Sequence, residues 1–178
     1  DLRKGILTDP DGYAIMTPEE ILKDLFSERS FDMREMRRKK QQLTEEQNLA
    51  VIRRNTYAVL SLSDEEGQPY GVPLNYVYAD GCFYFHCALD GQKTDFIAAN
   101  EKASLCIVDR DTVIPETFST EYISVIAFGT VHMITDEEEK MRTLRLLTEA
   151  LGDPDREKQD REIKSDFSRV AMIRFKAD

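Results

Sequence analysis

Hydrophobic and polar positions follow two different patterns along the chain, helical at first and alternating later. Thr17-Pro18-Glu19-Glu20 places an N-cap, a proline at the first helical position and a glutamate at the third, which predicts the start of a short helix. Thr44 to Gln47 repeats the capping-box spacing and predicts a second helix that ends near Arg54. The first 55 or so residues are therefore predicted to be mainly helical and polar.

After Asn55, apolar and polar side chains alternate as they do in half-buried strands. Asp80-Gly81 is a dipeptide typical of a tight hairpin turn. A short helix is predicted from Gln92 to Asn100, and a longer one from Thr135 to Gly152. Strands are predicted over residues 57–62, 70–78, 82–87, 103–108, 122–134 and 168–176. This order predicts a mainly β, α+β fold, in which five or six antiparallel strands form a small closed or partly closed barrel with peripheral helices.

Pro73 lies inside the second predicted strand. Because proline has no N–H for the ladder, the strand must lie at a sheet edge or carry a bulge there, which leaves neighbouring backbone groups free. Free extended backbone beside an apolar wall suits a planar ring with a hydrogen-bonding rim, and Leu74 and Asn75 would supply backbone or amide contacts. A plain edge strand beside a bulge explains the proline equally well.

Residues 85–95 run from a strand end through a glycine-bearing turn into a helix start. A helix N-terminus offers unpaired N–H groups and a partial positive charge, which suit a phosphate. Lys93 in the first turn is unfavourable for the helix dipole unless an anion binds there, and His86 at the strand end can reach the same place. An ordinary strand-turn-helix with a solvent-exposed lysine fits the spacing as well.

Two other kinds of site are not favoured. Cys82, His86 and Cys87 lie within six residues, but on a strand the first two are about 13 Å apart and Cys87 faces the other way, so one metal ion cannot be held by all three. A hydrolase would need a serine near His86 or His132, and the chain has no Gly-x-Ser-x-Gly turn. The serines in question are Ser61, Ser63, Ser119 and Ser124.

Composition and charge narrow the class of protein. The chain has 178 residues, of which 41% are hydrophobic, so it can form one domain with a sizeable core. Its 24 Lys+Arg against 34 Asp+Glu give a net charge of −10, which argues against nucleic acid as a partner. The basic cluster over residues 32–42 is interpreted as a solvated connector.

Other features of the sequence concern the compartment. No apolar run approaches the roughly 18 residues that span a bilayer, and the first residues lead into no signal peptide. Three cysteines cannot all pair within one chain, so no disulfide framework is expected. We therefore expect a soluble, cytoplasmic protein that binds neither membranes nor nucleic acid.

Several motifs occur together in a recognisable order. They are Met36-Arg-Arg-Lys-Lys40, Tyr70-Gly-Val-Pro-Leu-Asn-Tyr-Val-Tyr78, Asp80-Gly81, Tyr84-Phe-His-Cys-Ala88, Gly91-x-Lys93, Asn100 and Ser124-Val-Ile-Ala-Phe-Gly129. Over residues 33–134 the chain resembles the pyridoxamine 5′-phosphate oxidase-like, flavin-binding split-barrel superfamily, and within it the 5-nitroimidazole resistance (Nim) proteins. The resemblance implies an antiparallel six-stranded split β-barrel of the FMN-binding type over residues 33–178, after an N-terminal helical extension over residues 1–32.

The resemblance also implies a homodimer with FMN, or alternatively FAD, at the subunit interface. His86 would touch both phosphate and substrate and is the candidate catalytic residue. The oxidase itself has an Arg-Lys pair where this chain has Gln92-Lys93, so phosphate binding relies on fewer charges and oxidation of pyridoxamine phosphate is not expected. The implied cofactor-binding residues are Val72, Pro73, Leu74, Asn75, His86, Cys87, Ala88, Gln92, Lys93, Ser124, Val125 and Ile126, the last three from the same subunit or its partner.

The implied activity is that of a flavin-dependent nitroreductase, in which reduced flavin passes electrons to a nitroheterocycle or another small electrophile and gives the amine. The flavin carries the redox chemistry and the protein orients the reactants. Tyr76, Tyr78 and Tyr122 could donate protons, but aromatic residues on barrel strands more commonly pack. The alternative function is a non-catalytic flavin- or haem-binding protein on the same barrel.

Overall fold

The structure is a computed structural model that describes residues 35–152 and 154–178. The helix predicted from Thr17 and the extension predicted over residues 1–32 lie outside the described residues. Residues 35–42 belong to a unit separate from residues 43–178. They carry a short 3-10 helix at Lys39–Gln41, and every one of them is exposed.

Seven strands and four α-helices make up the rest. The helices are α1 (Glu45–Arg54), α2 (Gln92–Ala99), α3 (Glu137–Ala150) and α4 (Arg156–Asp166), and Pro115–Thr117 forms a second 3-10 turn. The strands are β1 (Tyr57–Ser63), β2 (Pro69–Asn75), β3 (Val77–Ala79), β4 (Cys82–Ala88), β5 (Lys102–Ile114), β6 (Ser119–Ile134) and β7 (Val170–Ala177).

All strands join one antiparallel sheet in the order β2-β1-β5-β6-β7-β4-β3. The two end strands, β2 and β3, are separated along the chain by Tyr76 alone. The sheet must therefore curl until its two ends meet, which makes a barrel that is open along one seam. The mainly β split barrel with peripheral helices that the sequence predicted is confirmed.

The strand count is seven and not six, because the strand predicted over residues 70–78 breaks at Tyr76. The Tyr76 backbone N–H donates to the Thr56 carbonyl (3.0 Å) and its hydroxyl donates to the Ile52 carbonyl (2.6 Å). Its side chain is buried. These bonds turn the chain from one end of the sheet to the other.

Two further predictions were wrong in extent. β5 continues to Ile114 and β6 begins at Ser119, although the sequence predicted a strand end at Val108 and a loop. The pairing shifts between Val108 and Arg110, and such a bulge reverses the alternation of apolar positions. Helix α4 was not predicted, because Gln159 and Ile163 are its only described buried residues and so little helical period shows in the sequence.

The core lies on the two sides of β4. Phe83 and Phe85 point into the barrel, where they pack with residues such as Leu60 and Phe175. Tyr84 points outward, where α3 and α4 cover it in a second cluster with Leu144 and other residues. The outer face of β4 is therefore covered near its start, whereas His86 and Ala88 near its end are exposed.

Local signals predicted several boundaries correctly. Thr44 and Gln47 form a reciprocal capping box at the start of α1. Asp80 and Gly81 both have positive φ, 52° and 75°, as the predicted tight hairpin between β3 and β4 requires. Within the described ranges, no helix is long and apolar enough to cross a membrane.

Candidate functional site

The barrel is split between β2 and the second half of β4. In the described chain, β3 pairs only with Cys82–Tyr84 of β4 and β2 pairs only with β1, which leaves facing edges unpaired. β2 and β4 nevertheless contact each other. The two segments that the sequence singled out, residues 72–75 and 86–88, thus form the two sides of this seam.

On the β2 side, exposure alternates along the strand. Pro73 and Asn75 face outward and are exposed, whereas Val72 and Leu74 pack against the barrel core. Val72 and Leu74 can therefore offer a ligand only their backbone groups. The Asn75 amide nitrogen donates to the Thr56 carbonyl (3.1 Å), which leaves its amide oxygen as an acceptor. β2 is an edge strand, as Pro73 predicted.

On the β4 side, the exposed face leads directly into α2. His86 and Ala88 are exposed, and Cys87 points into the core, so Cys87 also has only its backbone to offer. Gly91, with φ 135°, is the N-cap of α2. An L side chain rarely adopts this conformation, which explains the glycine at this position.

Among the described α-helices, the start of α2 differs from the other three. Thr44, Asp136 and Asp155 each cap their helix through a side-chain oxygen, whereas Gly91 provides no such cap. The first N–H groups of an α-helix have no partner within the helix. The N–H groups at the start of α2 are therefore available to an anion.

Gln92 and Lys93 occupy the first turn of α2. Burial raises the pKa of the Cys87 thiol, and the charge of the Lys93 ammonium opposes that rise. The Lys93 charge is thus felt at the end of β4, beside the exposed His86. A thiol with a raised pKa stays protonated at neutral pH, so Cys87 is unsuited to act as a nucleophile.

Two of the three predicted residues of β6 lie on the same outer sheet face, but farther from the seam. Ser124 and Ile126 point outward and Val125 is buried. Pairing aligns Pro73, Val59, Cys106 and Ile126 in one row across β2, β1, β5 and β6. Three strand spacings amount to about 14 Å. A ring at the seam of one chain would thus lie far from Ile126 of the same chain.

The sequence analysis did not single out two features beside the site. Tyr57 pairs with Asn75 and is half exposed on the outer face, and strand alternation around Ala58 and Leu60 could have identified it. The Arg54 guanidinium donates to both oxygens of Asp109, at the β5 bulge, and Asn55 donates to one of them (2.8 Å). These bonds hold the pKa of Asp109 down to about 2 and tie the end of α1 to the bulge.

A free strand edge beside an uncapped helix start with a lysine is the arrangement that the sequence motifs implied. The family model described as pyridoxamine 5′-phosphate oxidase matches residues 44–177. The chain belongs to this family. The match covers every helix and strand from α1 to β7 and confirms the resemblance drawn from the motifs.

Solved structures of low sequence identity share the fold of this family member. A candidate 5-nitroimidazole antibiotic resistance protein from Bacteroides thetaiotaomicron is 20% identical, with a TM-score of 0.62 over 76% of this chain and 80% of that one. A FAD and haem binding protein from Mycobacterium smegmatis is 16% identical, with a TM-score of 0.63 over 77% and 68%. A haem storage protein from Vibrio cholerae is 13% identical, with a TM-score of 0.59 over 75% and 89%. A search of curated proteins found no match.

Proposed function

We propose that this protein is a flavin-dependent oxidoreductase that reduces the nitro group of a nitroimidazole-type compound to the amine. The observation that carries the proposal is the uncapped start of α2, where Lys93 lies beside the free edges of β2 and β4. Membership of the pyridoxamine 5′-phosphate oxidase family supports it. So do the Nim-like motifs and the shared fold of the Bacteroides protein named as a candidate for 5-nitroimidazole resistance.

The phosphate of FMN, or of FAD, is assigned to the start of α2. The free N–H groups at Gln92 and Lys93, the Lys93 ammonium and the His86 imidazole supply its donors. Such a site depends on local donors, which suits a chain of net charge −10. Ala88 has a small side chain on the exposed face of β4 and leaves room for the phosphate.

The ring is assigned to the outer side of the seam. The backbone of residues 72–75 offers hydrogen-bonding groups along its edge, and Pro73 presents an apolar surface. When bound, the flavin supplies the two-electron redox chemistry. His86 is exposed on β4 before the turn into α2, and in this proposal its imidazole would contact the phosphate and would orient the nitro group or hold a proton for it.

In this proposal a second copy of the chain supplies the flavin contacts of Ser124, Val125 and Ile126. Within one chain, Ile126 lies three strands away from Pro73, a distance of about 14 Å. In a homodimer with the flavin at the interface, the partner's β6 would supply these contacts. Ser124 and Ile126 would do so through their side chains and Val125 through its backbone.

The phosphate assignment is tested by titrating FMN against the His86→Ala and Lys93→Ala variants. Loss of the Lys93 ammonium should weaken FMN binding about tenfold, because a charge-assisted hydrogen bond to phosphate is lost. Lys102→Ala is the matched control, since Lys102 is an exposed cation on β5 away from the seam. Unchanged FMN affinity in both site variants would show that the phosphate assignment is wrong.

The reaction is tested by reducing the flavin-loaded protein anaerobically with NAD(P)H or dithionite and adding a 5-nitroimidazole. Reoxidation of the flavin is the expected result. Because the amine requires six electrons and six protons and releases two waters, its formation needs three such two-electron reductions, with NAD(P)H supplied in more than threefold excess over the nitro compound. If the reduced flavin persists in the presence of the acceptor, nitroreduction is the wrong function.

A second candidate function is non-catalytic binding of flavin or haem. The exposed His86 imidazole on an open sheet face is the observation that favours haem, because histidine is a common axial ligand of haem iron. Proteins named for haem storage and for FAD and haem binding share the fold. The absorption spectrum of the purified protein separates haem from flavin, because a Soret band that His86→Ala removes supports haem. If the spectrum is that of a flavin, the anaerobic reoxidation experiment decides between nitroreduction and flavin binding alone.

A further inference from the structure

Tyr57 is an exposed aromatic residue at the start of β1, next to the proposed ring site. It is 52% exposed on the outer face and pairs with Asn75 on β2. Pro73 is its diagonal neighbour on the same face. Cross-strand partners have Cβ atoms about 5 Å apart, and a diagonal neighbour is within reach of an aromatic side chain. Tyr57 can therefore reach a planar ligand that lies along residues 72–75.

Tyr57 lacks the contacts that tyrosines on the neighbouring strands make. Tyr76 and Tyr84 each have a hydrogen bond at the hydroxyl. Tyr70 and Tyr78 each pack their rings on a phenylalanine. Within the part of the chain that the structure describes, Tyr57 has neither kind of contact. Its ring and its hydroxyl are both available to a ligand.

The backbone beside Tyr57 is held by several hydrogen bonds. The Thr56 carbonyl accepts two of them, one from the Asn75 amide nitrogen (3.1 Å) and one from the Tyr76 N–H (3.0 Å). The end of α1, directly before, donates to the Asp109 carboxylate at the β5 bulge. A single exposed aromatic residue is ordinary on a protein surface, but Tyr57 is presented on a rigid segment, as residues of a precise binding site are.

The polar atoms of this cross-strand pair match the rim of a flavin ring. The Asn75 amide nitrogen is bonded to the Thr56 carbonyl, so the amide oxygen is left as an acceptor. The Tyr57 hydroxyl is a donor beside it. The rim of the isoalloxazine carries an N–H between two carbonyl groups, so a neighbouring acceptor and donor can satisfy the N–H and one carbonyl. A haem has no such rim.

We propose that Tyr57 is a further cofactor-contacting residue, whose ring packs against the flavin on the β1 side of β2 and whose hydroxyl donates to a carbonyl of the flavin rim. This inference rests on the proposed function for the identity of the ligand. Tyr57 then forms the wall of the ring site opposite to His86 on β4. The pair of Tyr57 and Asn75 selects a planar ring with a hydrogen-bonding rim.

Titration of riboflavin and FMN into the full-length chain separates a ring contact from a phosphate contact, because riboflavin has the ring without the phosphate. Tyr57→Thr keeps a β-branched residue that suits a strand. It should raise the dissociation constants of both ligands by the same factor, about fivefold, because an aromatic contact and a hydrogen bond are lost. Lys93→Ala is the matched comparison and should raise the dissociation constant of FMN alone.

Fluorescence of the bound flavin tests the contact in a variant that keeps the ring. A phenol in contact with an excited flavin quenches its fluorescence by lending an electron that then returns, and the benzene ring of phenylalanine does not. Each bound FMN should therefore fluoresce several times more strongly in Tyr57→Phe than in the parent chain. The FMN dissociation constant should rise by about threefold, because only the hydrogen bond is lost.

Tyr70→Phe is the matched control for this measurement, since Tyr70 lies on β2 but packs against the barrel core. It should leave the fluorescence and the affinity unchanged. Unchanged fluorescence in Tyr57→Phe, or a Tyr57→Thr variant that binds riboflavin as tightly as the parent does, would overturn the proposal. A Tyr57→Thr variant that is weakened toward FMN but not toward riboflavin would also contradict a contact with the ring.

The outcomes separate this inference from the proposed function. If the parent chain binds neither FMN nor riboflavin, both fail. If it binds FMN and the Tyr57 variants behave as the parent does, only this inference fails. If the Tyr57 variants behave as expected but a 5-nitroimidazole does not reoxidise the reduced flavin, nitroreduction is the wrong function and the Tyr57 contact stands.

Discussion

Asp109 illustrates how a single side chain fixes the junction between a helix and a bulged strand. Its carboxylate accepts hydrogen bonds from Arg54 and Asn55, and its side chain is only 11% exposed. The Arg54 guanidinium is the main reason that the pKa of Asp109 is lowered to about 2. In the unfolded chain the carboxyl has an ordinary pKa of about 3.9.

This difference in pKa predicts a pH-dependent effect of Asp109→Asn. A carboxylate whose pKa is lowered by folding stabilises the fold above its unfolded pKa, and this contribution is lost as the pH falls from about 4 to about 2. Because Arg54 is half exposed, we expect the substitution to lower the free energy of unfolding by on the order of 1 kcal/mol at pH 7. The difference should vanish near pH 2.

Urea unfolding of the parent chain and the variant at several pH values measures this difference. Asp111→Asn is the control, since Asp111 is an exposed carboxylate on β5 only two residues away. An equal loss for both variants, or a loss for Asp109→Asn that does not depend on pH, would contradict the assignment.

Single residues were predictable where one position carries its own physical constraint. Pro73 predicted an edge strand or a bulge because proline lacks an N–H, and the edge is confirmed. Lys93 was singled out because a cation at a helix start is otherwise unfavourable, and its anion site stays a prediction. Asp109 could not be singled out, because its role depends on a bulge and on Arg54, which is 55 residues away. The roles assigned to His86 and to the other site residues remain predictions.

At the scale of an element, the β6–β7 pairing depends on a glycine. A Cβ added at Gly129 would lie 2.0 Å from the Lys176 carbonyl oxygen and 2.9 Å from the Ala177 Cα, both of which belong to the backbone. Gly129 pairs with Ala177 in the ladder, so neither strand can withdraw without loss of hydrogen bonds.

Gly129→Ala should therefore destabilise the fold by about 2–3 kcal/mol, as overpacking in a rigid site does. Thermal or urea unfolding measures the change. Gly71→Ala is the matched control, because a Cβ there would meet only the Val59 side chain, at an ordinary 3.7 Å. Similar stabilities for both variants would mean that the β6–β7 edge can move apart at little cost.

Elements were predictable where a short motif marks their ends. The capping box at Thr44 marks the start of α1, and the turn at Asp80-Gly81 marks the end of β3 and the start of β4. The length of the β5–β6 hairpin was not predictable. The bulge after Val108 reverses the alternation of apolar positions, and residues 110–122 contain no buried side chain that would restore it. Helix α4 contributes few buried side chains, and for that reason its sequence shows little helical periodicity of apolar residues.

At the scale of the whole molecule, the net charge of −10 acts against association of two copies. The outer face of β6, which the proposed homodimer would bring against the second copy, exposes Ile126 and Phe128, so salt should screen the repulsion without weakening the contact. We expect the dimer to tighten as sodium chloride rises from about 0.05 to about 0.5 M, over which the Debye length falls well below 10 Å.

Sedimentation at both salt concentrations measures this dependence, and the Ile126→Ser variant, which removes apolar surface from that face, provides the comparison. Its weaker dimer should tighten with salt to a similar degree, because the substitution changes no charge. A parent dimer that loosens with salt would indicate that ion pairs, and not the apolar face, hold the copies together.

The sheet order itself could not be derived from the pattern of residues. Alternation predicts strands and faces, but it does not say that β7 inserts between β6 and β4. The barrel was predicted because several motifs in order resemble one superfamily, and the match to the pyridoxamine 5′-phosphate oxidase family confirms it. Without that resemblance, a closed barrel and a partly closed one would have remained equal alternatives.

The position of β7 has a consequence for how the chain folds during synthesis. β7 is the last strand along the sequence, yet its neighbours are β6 and β4, and its pairing with β4 joins residues that are more than 80 positions apart. While the ribosome is still adding α3 and α4, the nascent chain can form hairpins, but two strand edges stay open to other nascent chains. The barrel can close only once Val170–Ala177 has emerged, so closure is a late, long-range step.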